Sequence, residues 1–131
     1  MKKTELINSE LSAVIARMGH TDSIAIADCG LPIPDGVRRI DLALMRNQPR
    51  FLDTLRAVLS ELCVERAVVA TELMEGAPAL LDEIRALLPG VTVEAVTHER
   101  FKRLTSESKA VVRTGECTPY ANILLYSGVV F

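Results

Sequence analysis

Tryptophan is absent from this chain, and aromatic residues of all kinds make up only 4% of its 131 residues. No Lys/Arg stripe with interleaved aromatics occurs; acidic and basic residues are mixed, with a net charge of −2. That composition argues against nucleic acid as a partner. No run of about 18 apolar residues exists, and Met1-Lys2-Lys3-Thr4-Glu5-Leu6 lacks the apolar core of a secretory signal. The expectation is a cytoplasmic protein with no membrane partner. Cysteines number three (Cys29, Cys63, Cys117), far apart and without a CxxC. Neither a disulfide framework nor a zinc site is indicated. Cys29 and Cys117 read as small buried apolar residues.

What the chain does hold is aliphatic. Hydrophobic residues make up 49%, so the core is built from Val, Ile, Leu and Ala. A chain of this length is one domain, residues 1–131. So large an aliphatic share on a small sphere points to a homo-oligomer.

Periodicity supplies the elements. Asn8 or Ser9 caps a helix through Met18, with Leu11, Val14, Ile15 and Met18 on one face and Gly19 as its left-handed C-cap. Ser23 to Ala27 reads as a buried strand, and Arg39 to Leu44 as a strand with Ile40, Leu42 and Leu44 on one side. Leu31-Pro32-Ile33-Pro34-Asp35-Gly36 is a structured loop. Pro49 opens a second helix, Glu65 to Ala70 is a strand, and Pro78 to Leu88 a third helix. Val91 to Val96 is a strand, followed by a short helix from His98 capped by Thr97. Ala110 to Arg113 and Asn122 to Tyr126 are strands, and Val129-Val130-Phe131 is expected to pack, extending the sheet or reaching a neighbour. Alternating strands and helices give an α/β fold, with a largely parallel sheet flanked by helices on both faces.

The two histidines both lie beside loops. His20 reads either as a helix-end residue facing C-terminal carbonyls or as a general acid/base of near-neutral pKa. Asp22 and Asp28 are the neighbouring carboxylates that could set its tautomer. Asp28, at the carboxyl end of an apolar strand, stands where α/β sheets bind ligands, or else caps the Cys29-Gly30 bend. Asp41 reads as an outward-facing charge. His98 reads as a first-turn residue of a short helix, or as a metal ligand together with His20 and Asp28. No HExxH or paired spacing supports a metal. Thr114 to Asn122 is the densest polar stretch, but one glycine leading into a strand is no phosphate cradle. Tyr120 and Asn122, two apart, would share a face and suit sugar hydroxyls; alternatively Tyr120 anchors the turn.

Four segments, taken together, resemble the D-ribose pyranase family, small sugar-mutarotating proteins that include the fucose mutarotases. They are Leu6-Ile7-Asn8-Ser9 with Gly19-His20-Thr21-Asp22; Ala27-Asp28-Cys29-Gly30-Leu31-Pro32-Ile33-Pro34 with Arg39-Ile40-Asp41-Leu42-Ala43; Thr97-His98-Glu99-Arg100-Phe101-Lys102; and Arg113 through Ile123. The Gly-Leu-Pro-Ile-Pro run and the Pro-Tyr-Ala-Asn order look like the ribose branch. Residues 59–93 match mainly in hydrophobic pattern. The resemblance implies an isomerase of carbohydrate metabolism, exchanging the β-pyranose and β-furanose forms of D-ribose without a cofactor. It makes His20 the proton donor, with Asp28, His98, Tyr120, Ala121 and Asn122 binding the sugar. It also implies a ring-like homo-oligomer, a decamer, with sites between subunits. A fucose-type mutarotase and a non-catalytic sugar-binding subunit of ribose transport are the competing expectations.

Overall fold

A computed structural model describes residues 1–131. Helix α1 (Ser9–Arg17) begins where the Asn8 side chain accepts the Leu11 N–H at 2.9 Å. It leads into β1 (Ser23–Ala27), then β2 (Arg39–Asp41), α2 (Phe51–Leu59) and β3 (Val64–Ala70). Two helices follow, α3 (Thr71–Gly76) and α4 (Pro78–Leu87), then β4 (Thr92–Val96), α5 (His98–Thr105), β5 (Ala110–Arg113) and β6 (Ile123–Ser127).

The six strands form one sheet in the order β2-β5-β1-β6-β3-β4. β6 runs antiparallel to both its neighbours, and every other pairing is parallel. The carboxyl ends of five strands and the amino end of β6 therefore share one edge. The opposite edge carries the starts of β1, β3 and β5 and the end of β6.

Period-two burial divides the core into two layers. Ile24, Ile26, Ala67, Val69, Val112, Ile123 and Leu125 face α1, α2 and α4 in the larger layer. Ala25, Ala27, Val68, Val111 and Leu124 face Phe101 of α5 and Leu31 of the proline loop in the smaller one. Both faces are covered, as the pattern predicts. A fully buried side chain such as Phe51 or Phe101 contributes roughly 1.5–3 kcal/mol by leaving water.

Some local expectations are corrected. Gly19 is not a left-handed cap: α1 ends on Met18 in extended conformation, and Thr21 takes the positive φ of 68°. The Gly19 N–H donates to Asp22 Oδ2 at 2.9 Å, so an aspartate closes the turn. β2 stops at Asp41 because its partner β5 ends at Arg113. Leu44 lies beyond it and is exposed. Helix α3 follows β3 without a break and gives no turn signal that sequence could read. Val129, Val130 and Phe131 form no strand and are exposed, Phe131 fully. In the single chain nothing covers them.

Candidate functional site

One edge of the sheet gathers most of the expected site. Asp28 follows β1, and Asn122 precedes the adjacent, antiparallel β6. The fully buried Asn122 grips Asp28 with both ends of its amide. Its Oδ1 accepts the Asp28 N–H at 2.8 Å, and its Nδ2 donates to Asp28 Oδ2 at 3.1 Å. Asp28 Oδ1 accepts the Gly30 N–H at 2.9 Å, closing the expected bend. The carboxylate is thus fixed in orientation while remaining half-buried.

Tyr120 and Asn122 do not share a strand face. Tyr120 has φ 63°, and the Asn122 N–H donates to the Tyr120 carbonyl at 2.7 Å. This tight turn buries Ala121 completely, sends Asn122 inward and leaves Tyr120 exposed. The phenol ring then meets the His98 ring edge-on, with centroids 5.0 Å apart and planes at 78°. His98 also lies nearly parallel to Phe101, at 6.4 Å. Its backbone N–H, at the start of α5, donates to Glu72 Oε2 at 2.9 Å. The Glu72 carboxyl is held below its ordinary range, first by its own backbone N–H and then by the Thr71 hydroxyl and the His98 N–H. His98 Nδ1 is a buried nitrogen with no hydrogen-bond partner in the chain.

The polar loop is pinned from beneath. Glu116 is buried, and its Oε2 accepts the Phe51 N–H at 3.1 Å at the start of α2. Its Oε1 accepts from the Thr118 N–H and hydroxyl at 3.2 and 2.9 Å, with Arg50 at 3.8 Å. Burial pushes this carboxyl up; the amides of Phe51 and Thr118, the Thr118 hydroxyl and Arg50 outweigh it and leave the group below the ordinary range. The Glu116 carbonyl accepts the Cys29 N–H at 2.8 Å, tying the loop to the Asp28 bend. Asp41 faces outward, as expected, and meets Arg113 Nη1 at 3.2 Å.

Cys29 and Cys117 are not buried apolar residues. Cys29 is half-buried, Cys117 is exposed, and their sulfurs lie 3.9 Å apart as free thiols. Burial and the neighbouring Cys117 raise the Cys29 thiol. No group of three or more metal-ligating side chains forms.

His20 is the exception. It precedes β1 and so stands on the opposite edge of the sheet from Asp28. The five residues of β1 alone span about 13 Å at ~3.3 Å per residue. Neither Asp28 nor Asp22 orients the imidazole: Asp22 is occupied by the Gly19 N–H and by Lys109 at 3.2 Å. The partner is Glu65, whose Oε2 lies 2.8 Å from His20 Nε2. Glu65, Glu72 and Glu116 were not singled out from sequence. Only Glu116 carried a signal, as the one acidic residue in the dense polar loop.

The recesses of the single chain do not enclose the cluster: none is lined by Asp28, His98 or Tyr120. Small-ligand sites bury most of their ligand, whereas in the single chain this cluster is open.

The profile of the RbsD / FucU transport protein family matches residues 1–130. A D-ribose pyranase of Coprothermobacter proteolyticus is 64% identical over the whole of both chains. One from Laribacter hongkongensis is 53% identical, also over the whole of both. Among solved structures, Bacillus subtilis RbsD complexed with D-ribose superposes with a TM-score of 0.96, at 45% identity over all of both chains. A fucose mutarotase of Streptococcus pneumoniae in complex with L-fucose reaches 0.82 at 23% identity, which speaks for the fold alone.

Proposed function

The chain belongs to the RbsD / FucU transport protein family, and on that premise we infer that it is a D-ribose pyranase. It is an isomerase that exchanges the β-pyranose and β-furanose forms of D-ribose through the open-chain aldehyde. The observation that carries this is the likeness, at a TM-score of 0.96 and 45% identity, to a protein solved with D-ribose.

The reaction needs two proton movements. Opening a hemiacetal removes the anomeric hydroxyl proton and supplies one to the ring oxygen. Reclosing on a different hydroxyl gives the other ring size. His20 donates the proton to the ring oxygen. Asp28, held by Asn122, takes sugar hydroxyls; His98 and Tyr120 supply an aromatic wall with polar tips, and Ala121 contributes backbone. General acid/base catalysis of ~10²–10⁴-fold is a few kcal/mol and is sufficient for a reaction that already proceeds unaided. No cofactor enters the scheme.

His20 and the sugar-binding edge come together between two copies of the chain. The division of the site across opposite edges supports this, as does the cluster left open in one chain. So do the exposed apolar Ile7, Leu44, Met45 and Val129 to Phe131. The tail follows β6 and so leaves from the edge that carries His20. The assembly is a ring-like homo-oligomer, a decamer by family likeness, and the protein works in the cytoplasm in ribose catabolism. No helix is long and apolar enough to cross a membrane.

Magnetisation-exchange NMR on equilibrated D-ribose tests the reading. Catalytic amounts of protein accelerate pyranose–furanose exchange. Acceleration of L-fucose anomer exchange alone would move the chain to the fucose branch, and none for any sugar would leave a binding subunit.

A further inference from the structure

We propose that Glu65 is the positioning residue of the proton-transferring histidine: it holds His20 by Nε2, so that Nδ1 is the nitrogen that meets the sugar. This rests on the pyranase reading and on His20 as its proton donor.

The backbone is shaped for this contact. Val64 pairs with Ser127 and Arg66 with Tyr126, so β3 advances two residues while β6 advances one. Glu65 is the extra residue, a bulge in the ladder. Bulges re-aim a side chain and occur often beside active sites. Without the bulge, Glu65 would keep the alternation of β3 and stand above or below the sheet. With it, the carboxylate reaches the start of β1, 45 residues away in sequence, at 2.8 Å from the imidazole.

Gly128 makes room for it. A Cβ at that position would stand 3.1 Å from Glu65 Cβ and 3.4 Å from Cys63 Sγ. The Gly128 N–H meanwhile donates to the Cys63 carbonyl at 2.9 Å, tying the end of β6 to the start of β3.

The other charges nearby are committed elsewhere. Arg66, next in sequence, pairs with Glu94 at 3.3 Å and lies 3.7 Å over the Tyr126 ring. Asp22 is held by Gly19 and Lys109. His20 is thus the side-chain partner of Glu65 in the chain. The backbone carrying His20 is fixed as well: the Thr21 N–H donates to the Ser127 carbonyl at 2.9 Å, and the Ser127 N–H to the Asp22 carbonyl at 2.8 Å.

A carboxylate on one imidazole nitrogen keeps the proton there, sets the tautomer and favours the imidazolium when it forms. The acid is the imidazolium, which carries a proton on each nitrogen, and its Nε2–H stays on Glu65 throughout. As the ring C–O bond breaks, its electron pair goes to the ring oxygen, which takes the Nδ1 proton. The anomeric hydroxyl becomes the aldehyde carbonyl, and its proton passes through water to the vacated Nδ1. Charge and protons balance, and Glu65 does not touch the sugar.

The test compares wild type, Glu65→Gln and His20→Ala in the ribose exchange assay, with imidazole 15N NMR on the full-length protein. Having two histidines makes the spectrum simple to assign. Glu65→Gln is expected to lower kcat on the order of 10-fold or more with KM within about twofold. Wild-type neutral His20 is expected to carry its proton on Nε2. A wild-type Nδ1–H tautomer, or full kcat in Glu65→Gln beside an inactive His20→Ala, overturns this inference alone. Full exchange in His20→Ala overturns the reading beneath it.

Discussion

His20 and Asp28 flank the same strand, one before β1 and the other after it, on opposite edges of the sheet. A histidine and a carboxylate eight positions apart in sequence invite pairing, and strand geometry forbids it. Each has a different partner instead: Glu65 at 2.8 Å for His20, and Asn122, through two hydrogen bonds, for Asp28. The two pairs lie on opposite edges of the sheet, and the proposed site is accordingly two half-sites in each chain.

Replacing His20 with Ala removes the proposed proton donor and leaves the proposed hydroxyl-binding edge intact. Ribose exchange is expected to fall by ~10²–10⁴-fold, towards the uncatalysed rate. Ribose still binds weakly, read by titration calorimetry.

Asn122→Ala deletes both hydrogen bonds to Asp28 from a fully buried position. Thermal or denaturant unfolding is expected to show a loss of about 1–3 kcal/mol from polar groups left unpaired. The freed carboxylate also raises KM for ribose more than it lowers kcat. Unchanged KM would remove Asp28 from the sugar contacts.

Glu116 gives a pH signature. Its folded carboxyl lies below the ordinary range, so its contribution is present above the unfolded value, near ~4.3, and is lost as pH falls through the folded value. Glu116→Gln is expected to be less stable than wild type at neutral pH. The gap narrows as pH falls below about 4, in denaturant midpoints measured from pH 7 to 3. A gap constant with pH would contradict the assignment.

Gly115 tests the fit of the polar loop. A Cβ there would collide with the carbonyl oxygens of Gln48 and Met45. Its N–H meanwhile donates to the Pro49 carbonyl at 2.9 Å. Gly115→Ala is expected to destabilise by roughly 1–3 kcal/mol and to weaken ribose binding by shifting Tyr120.

Much of this fold could be read from the chain. Leu11, Val14, Ile15 and Met18 at helical spacing gave α1, and the short apolar run of Ala110 to Arg113 gave β5 to the residue. Asp28 could be read as a ligand position from its place at a strand end, whereas its grouping with His98, Tyr120 and Asn122 came only from the family resemblance. Other features turned on pairings distant in sequence. The bulge at Glu65 depends on the register of β6, and the turn at Tyr120 on a positive φ at a non-glycine residue. The stop of β2 is set by β5, whose Arg113 lies 72 residues beyond Asp41, which is why Leu44 was wrongly placed on a strand. The tail Val129 to Phe131 reads as core by composition yet stands exposed in the single chain.

The most direct measurement uses two inactive variants, His20→Ala and Asp28→Ala, assayed separately and after co-expression. If each site joins the His20 edge of one copy to the Asp28 edge of another, random mixing regenerates intact sites in about one quarter of positions. Ribose exchange should recover to about that fraction of wild type. A mixture as inactive as its components would place both halves of the site in one chain and contradict the account.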